Sequence, residues 1–171
     1  MKKIFTLLTL TLIIFSSCAQ NRPAPEYLIN KTFPDSIQAF KIQNVKGESV
    51  SLKEILKQHE GKKIVLDFWA SWCGDCIKGL PKLKELQSKT TNIDYVFFSL
   101  DKTKERWEKS IIKLDIKGDH YFMAEGWKNT LTNYIGLDWI PRYMILDENG
   151  TVIYAKAVDA ADKEFRALLI K

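Results

Sequence analysis

Residues 63–76 read KIVLDFWASWCGDC, and both the fold and the chemistry turn on that stretch. Ile64, Val65, Leu66, Phe68 and Trp69 leave almost no polar position on either face, the pattern of a central strand covered on both sides. The sequence after it predicts a helix from Cys73 to about Ser88, bent at Pro81. Ile93 to Leu100 (IDYVFFSL) then reads as the next buried strand. Strand, helix and strand at that spacing make a parallel crossover unit.

The spacing Cys73-Gly74-Asp75-Cys76 at a strand-to-helix junction is the strongest chemical signal in the chain. Free amides and the positive end of the helix dipole stabilise a thiolate on Cys73, the form of cysteine that attacks disulfides. Cys76, one turn later, is placed to attack a mixed disulfide on Cys73 and release a reduced substrate. Half of a zinc site is the competing interpretation, but no second cysteine pair exists and only His59 and His120 could complete it. No metal is therefore expected. Asp67 is the second signal: an ionised, unpaired carboxylate inside an apolar run costs several kcal/mol. Such an acid has a raised pKa and suits proton transfer with Cys76; the alternative is an acid at the strand edge facing water.

Outward from this centre, Ala39 to Ser51 forms two short strands about a Lys46-Gly47-Glu48 turn, and Ser51 with Glu54 forms a capping box opening a helix to about His59. Glu105 to Leu114 is an amphipathic helix, His120 to Ala124 a short strand, and Asn129 to Tyr134 a helix stopped at Gly136. Arg142 to Leu146 and Thr151 to Ala157 flank the hairpin turn DENG, and Asp162 to Ile170 closes the chain as a helix. The result is an α/β domain, a mixed sheet flanked by helices.

The 171 residues, 46% hydrophobic and 27% charged, suit one globular domain. Met1-Lys2-Lys3, an apolar run from Ile4 to Phe15, and Ser16-Ser17-Cys18 have the form of a secretory signal. Small residues before a cysteine resemble the lipoprotein cleavage box, which makes residues 1–17 the signal and Cys18 the lipidated first residue. Phe15 departs from the usual leucine; cleavage after Ala19 and an uncleaved anchor are the other fates. Residues 18–33, with Pro23 and Pro25, read as a tether, and the folded domain as 34–171. Losing Lys2 and Lys3 takes the net charge from +5 to +3, too mild for a nucleic-acid partner. An export signal also puts the cysteine pair where disulfides persist.

The run DFWASWCGDC resembles the active-site stretch of the thioredoxin superfamily, and the chain from about residue 37 is most similar to TlpA/ResA-type membrane-anchored thiol-disulfide oxidoreductases. The resemblance implies a thioredoxin-like fold with an N-terminal β extension and a helical insertion, residues 102–135, before a cis-proline loop. It puts Asp67 on the family's buried acid, Trp72 on the tryptophan before the nucleophile, Cys73 and Cys76 on the redox pair, and Pro81 on the helix-kinking proline. Ile140 and Pro141 fall on the cis-proline loop that binds substrate backbone, with Trp139 beside it, either docking or packing. Trp107 and Trp127 are read as core, and His120 as structural.

Three departures bear on the substrate. Asp75 replaces a proline, and its charge opposes the dipole's effect on the Cys73 thiolate. Arg142 replaces the usual threonine; across the groove it would act in the opposite sense. Val158 stands where glycine is common and narrows the groove. The function implied is an extracytoplasmic, periplasm-facing disulfide reductase or exchange enzyme of the bacterial cell envelope. Its partners would be protein disulfides and a membrane electron-donor protein, with no cofactor of its own. A thiol peroxidase and a copper-holding metallochaperone are the alternative functions.

Overall fold

A computed structural model of the chain describes residues 22–170. Residues 1–17, read from the sequence as a signal, and Cys18 lie outside the described residues. In chain order the elements are α1 (Asp35–Gln38), β1 (Lys41–Asn44), β2 (Ser49–Ser51), α2 (Leu52–Gln58), β3 (Lys63–Trp69), α3 (Gly74–Lys89) and β4 (Ile93–Ser99). There follow α4 (Lys104–Lys113), β5 (Asp119–Phe122), α5 (Thr130–Tyr134), β6 (Arg142–Leu146), β7 (Val152–Ala157) and α6 (Lys163–Leu169).

The seven strands form one mixed sheet in the order β2-β1-β5-β4-β3-β6-β7. β3 runs parallel to β4 on one side and antiparallel to β6 on the other. Six of its seven residues are buried, as its unbroken apolar pattern demands. Successive side chains alternate between the faces, so one row crosses the sheet through His120, Phe97, Asp67, Tyr143 and Ala157. His120 stacks on Phe97 at 4.9 Å, and Tyr143 packs on Phe165 of α6 at 5.3 Å. Phe68 and Phe98 occupy the opposite face, 5.2 Å apart.

The capping box of α2 forms as its sequence requires: the Ser51 amide donates to the Glu54 carboxylate at 2.6 Å, and the Glu54 amide donates to Ser51 Oγ at 3.2 Å. The Ser51 hydroxyl, donating to the same carboxylate at 2.6 Å, and the Ser51 amide hold the Glu54 carboxyl down at about 2. The insertion supplies a strand as well as helices, because β5 joins the sheet edge and offers the pairing edge on which β1 docks. β5 ends earlier than the sequence predicts, at Phe122, where the Gly126 amide closes a turn on the Met123 carbonyl at 2.8 Å.

The stretch read as a tether differs most. Residues 26–28 form a 3-10 turn, Leu28 and Phe33 are buried, and the Asn30 amide donates to the Val152 carbonyl at 2.9 Å while the Val152 amide donates to the Lys31 carbonyl at 3.0 Å. Tyr27 donates to the Tyr134 carbonyl at 2.5 Å. Gly136 ends α5 at φ +58, and a Cβ there would come within 2.9 Å of the Pro25 ring. Pro25 thus lies against the domain and belongs to its packing.

Candidate active site

The central strand delivers the cysteine pair. β3 ends at Trp69, the chain turns through Ala70 to Trp72, and Cys73 takes the N-cap position of α3 with extended backbone angles. Cys73 and Cys76 are joined as a disulfide with their Cα atoms 5.3 Å apart. The Cys76 amide donates to Cys73 Sγ at 3.1 Å. In the reduced pair that same donor faces the Cys73 sulfur, where it favours a thiolate together with the helix dipole.

Exposure alone does not distinguish the two sulfurs, since Cys73 is only 6% exposed and Cys76 3%. Position does: Cys73 lines a cleft of about 400 Å³ with Trp72, Trp127, Trp139 and Ile140, whereas Cys76 sits behind it on the inward face of α3. The Ile140 carbonyl oxygen lies 3.5 Å from Cys73 Sγ, and the Ile140-Pro141 peptide is cis. Trp72 is 49% exposed and forms one wall. Trp127, read as core from the sequence, is 36% exposed and forms another; Trp107, read likewise, is fully buried. A second cleft of about 360 Å³ adjoins Pro141 and is lined by Asp75, Gly79, Lys82, Val158 and Asp159. Asp75 therefore borders both clefts, and Val158 stands in the wall of the second.

Asp67 is 3% exposed, held in the cross-sheet row between Phe97 and Tyr143, and its Oδ1 has no hydrogen-bond partner among the described residues. Burial raises its pKa well above the usual carboxylate range. The water-facing alternative for this residue is thereby set aside.

Arg142 is not in the groove. It follows the cis proline but stands opposite Phe68, one residue before Tyr143, so its side chain leaves the sheet on the face away from α3. There it is fully buried and ion-paired to Asp138, which Lys156 also engages at 2.9 Å. The guanidinium anchors the cis-proline loop from beneath.

Asp101 escaped the sequence reading. Two residues after β4, it accepts bonds from the Ser71 amide and hydroxyl, at 3.1 and 2.6 Å, and from the Ser99 hydroxyl at 2.8 Å. It fixes the turn that presents Trp72 and Cys73. The available signal was an acid just past an apolar strand, where Asp67 lies within one.

Comparison with known proteins agrees with this architecture. A family model described as thioredoxin-like matches residues 61–152. Thiol-disulfide oxidoreductase ResA of Bacillus cereus is 25% identical over 116 residues, 67% of this chain and 63% of that protein. The chain thus spans somewhat under two thirds of the length of that relative. Thiol:disulfide interchange protein DsbE of Yersinia pestis is 23% identical over 163 residues, 94% of this chain and 82% of its own. Among solved structures, a Bacteroides vulgatus protein assigned as a thiol-disulfide oxidoreductase superposes with a TM-score of 0.62 at 34% identity, covering 76% of this chain and 83% of that one. With the family match extending over more than half of its length and including the cysteine pair, the chain belongs to the thioredoxin-like family.

Proposed function

We propose that the protein is an extracytoplasmic thiol-disulfide oxidoreductase that reduces or exchanges disulfides in proteins. The observation that carries this reading is the Cys73–Cys76 disulfide at the head of α3, with Cys73 alone facing the cleft. The names of the relatives point the same way.

In the reduced enzyme, the Cys73 thiolate attacks a substrate disulfide, forming the Cys73–substrate bond and expelling one substrate thiol. Cys76 then loses its proton to Asp67 and attacks Cys73 Sγ. The second substrate thiol leaves, and the Cys73–Cys76 disulfide remains. Two electrons have passed to the substrate, and a membrane donor restores the dithiol by the reverse exchange. Trp72, Trp139, Ile140 and Pro141 line the surface on which a substrate segment lies, and Trp127 adds a wall to it.

Location rests on residues 1–17 as an export signal and Cys18 as the lipid attachment site, which would hold the domain at an envelope membrane. Among the described residues, no helix is long and apolar enough to cross a membrane.

Insulin reduction driven by dithiothreitol, with free thiols titrated before and after oxidation, tests the activity. Turnover should depend on both cysteines, and two thiols should disappear per oxidised molecule. Consumption of peroxide without reduction of insulin would replace this reading with a peroxidase.

A further inference from the structure

The proton that Asp67 takes from Cys76 must leave again before another cycle, and Asp67 is sealed. Its cross-strand neighbours are Phe97 on β4 and Tyr143 on β6, and no cation is paired with it among the described residues. One polar group breaks the apolar surround. Tyr143 lies directly opposite Asp67 on β6, and residues so paired point to the same face with Cβ atoms about 5 Å apart.

The phenol then runs toward α3. A Cβ added to Gly79 would stand 3.4 Å from the Tyr143 hydroxyl, so that oxygen rests against the helix where no side chain intervenes. Gly79 is three residues after Cys76 and shares its face of the helix. Gly79 also lines the second cleft, whose rim carries the Lys82–Asp159 ion pair at 3.0 Å. The hydroxyl therefore rests against α3 beside a residue that lines the second cleft, one helical turn below the resolving cysteine and on the same face of the sheet as the buried carboxyl.

We infer that Tyr143 is a positioning residue for the resolving step, its hydroxyl being the polar group through which Asp67 exchanges its proton with the second cleft. The inference rests on the role proposed for Asp67. Cys76–SH gives its proton to the Asp67 carboxylate, the Cys76 sulfur forms the disulfide, and the proton passes by way of the Tyr143 hydroxyl to solvent in the cleft. The departing substrate thiolate takes a proton from solvent, so the protons balance.

The charged and titratable groups around the phenol fit a hydroxyl that stays protonated. Asp67 faces it from β3 and Asp159 from the loop after β7; α6 contributes only the Phe165 ring, and Lys82 on α3 is held by Asp159. Burial, then Asp67, then Asp159 push its pKa well above the ordinary tyrosine value. It remains a donor throughout the physiological range.

Tyr143→Phe tests this, because phenylalanine keeps the ring contact with Phe165 and removes only the hydroxyl. In stopped-flow reduction of a peptide disulfide, release from the Cys73 mixed disulfide should slow about tenfold while the first attack changes less than about twofold. The pH profile of release should move, and in an Asp67→Asn background the same substitution should change release less than about twofold, as two residues acting in one path require. Wild-type release rates across about pH 5 to about pH 9, or the same slowing in both backgrounds, would overturn the inference. If Asp67→Asn slows release and Tyr143→Phe does not, only the tyrosine's part is lost. If Asp67→Asn itself leaves release untouched, the base assignment falls and this inference with it.

Discussion

A carboxyl group wedged between Phe97 and Tyr143 with one oxygen unpartnered is protonated over a wider pH range than a surface aspartate. Because its folded pKa lies above the unfolded one, the folded state binds more protons between the two. The stability this gives is complete below the unfolded value near 3.8 and is lost as pH rises through the folded pKa. Asp67→Asn abolishes that loss. In urea titrations the variant should gain on wild type as pH rises from about 4, by more than about 1 kcal/mol once wild-type Asp67 ionises, the scale set by an unpaired buried charge. A constant difference at every pH would mean that Asp67 titrates normally. Asp75 presents the opposite case, an exposed acid in the first turn of α3. Two charges about 6 to 8 Å apart repel by roughly 2 kcal/mol at a protein surface, and solvent and salt halve this to about 1 kcal/mol, or some 20 mV for a two-electron couple. Asp75→Asn should therefore make the pair more oxidising by about 20 mV, measured by equilibration with glutathione buffers; a shift to more negative potential would refute that tuning. Arg142→Ala should move the potential less, since Asp138 already neutralises that charge. Its effect should be on stability instead, a loss of about 1.5–3 kcal/mol in denaturant titrations, because a buried charge-assisted contact is removed while Lys156 still pairs with Asp138.

The elements were legible to the degree that their signals are local. The capping box of α2, the apolar run of β3, the cysteine spacing at the start of α3 and the DENG turn each lie within a few residues, and each element forms where its pattern predicts. What was not legible depends on neighbours distant in sequence. Trp127 reads as core because tryptophan usually is, and only the loop between β5 and α5 decides that its ring walls the cleft. Arg142 reads as a groove residue by its place after Pro141, and only its register opposite Phe68 sends it beneath the sheet. Tyr143 carries no motif; its position is set by pairing with Asp67 and by the missing side chain at Gly79. The loop that presents Trp127 is itself tied to α5. Asn129 caps that helix by accepting from the Thr132 amide at 2.9 Å and donates to the Gly126 carbonyl at 2.7 Å, while the Thr132 hydroxyl donates to the Trp127 carbonyl at 2.6 Å. Asn129→Ala should cost about 1–2 kcal/mol, at the upper end for caps since the residue is buried. It should also raise KM for insulin several-fold with little change in kcat, because the wall moves while the sulfurs do not. Equal kinetics with the expected loss of stability would mean that Trp127 does not meet substrate.

At the scale of the molecule, the chain leading into the domain closes over the far side of the site. Pro25 packs on Gly136 at the start of the loop carrying Trp139, Ile140 and Pro141, and the Arg22 carbonyl accepts from Lys156, which also holds Asp138. The sequence gives no hint of this docking, since a short proline-containing stretch without apolar period looks the same whether it hangs free or lies on a surface. Whether it contributes stability is a question of burial. Leu28 is 1% exposed and belongs to the same hydrophobic core as Phe33, whose ring meets Tyr134 edge-on at 6.1 Å. A leucine so enclosed costs about 2–5 kcal/mol when cut to alanine, through lost transfer energy and the cavity left behind. A leucine in a solvated tether costs close to nothing, so the two pictures differ by far more than the error of a denaturant titration. Leu28→Ala should lower stability by at least about 2 kcal/mol with an unchanged dependence on urea. Because residues 25–33 brace the loop that faces Cys73, the variant should also show faster hydrogen exchange at the Leu137 and Trp139 amides than at those of β3. Wild-type stability would return the segment to the role of a tether, leaving the sheet and the cysteine pair to fold without it.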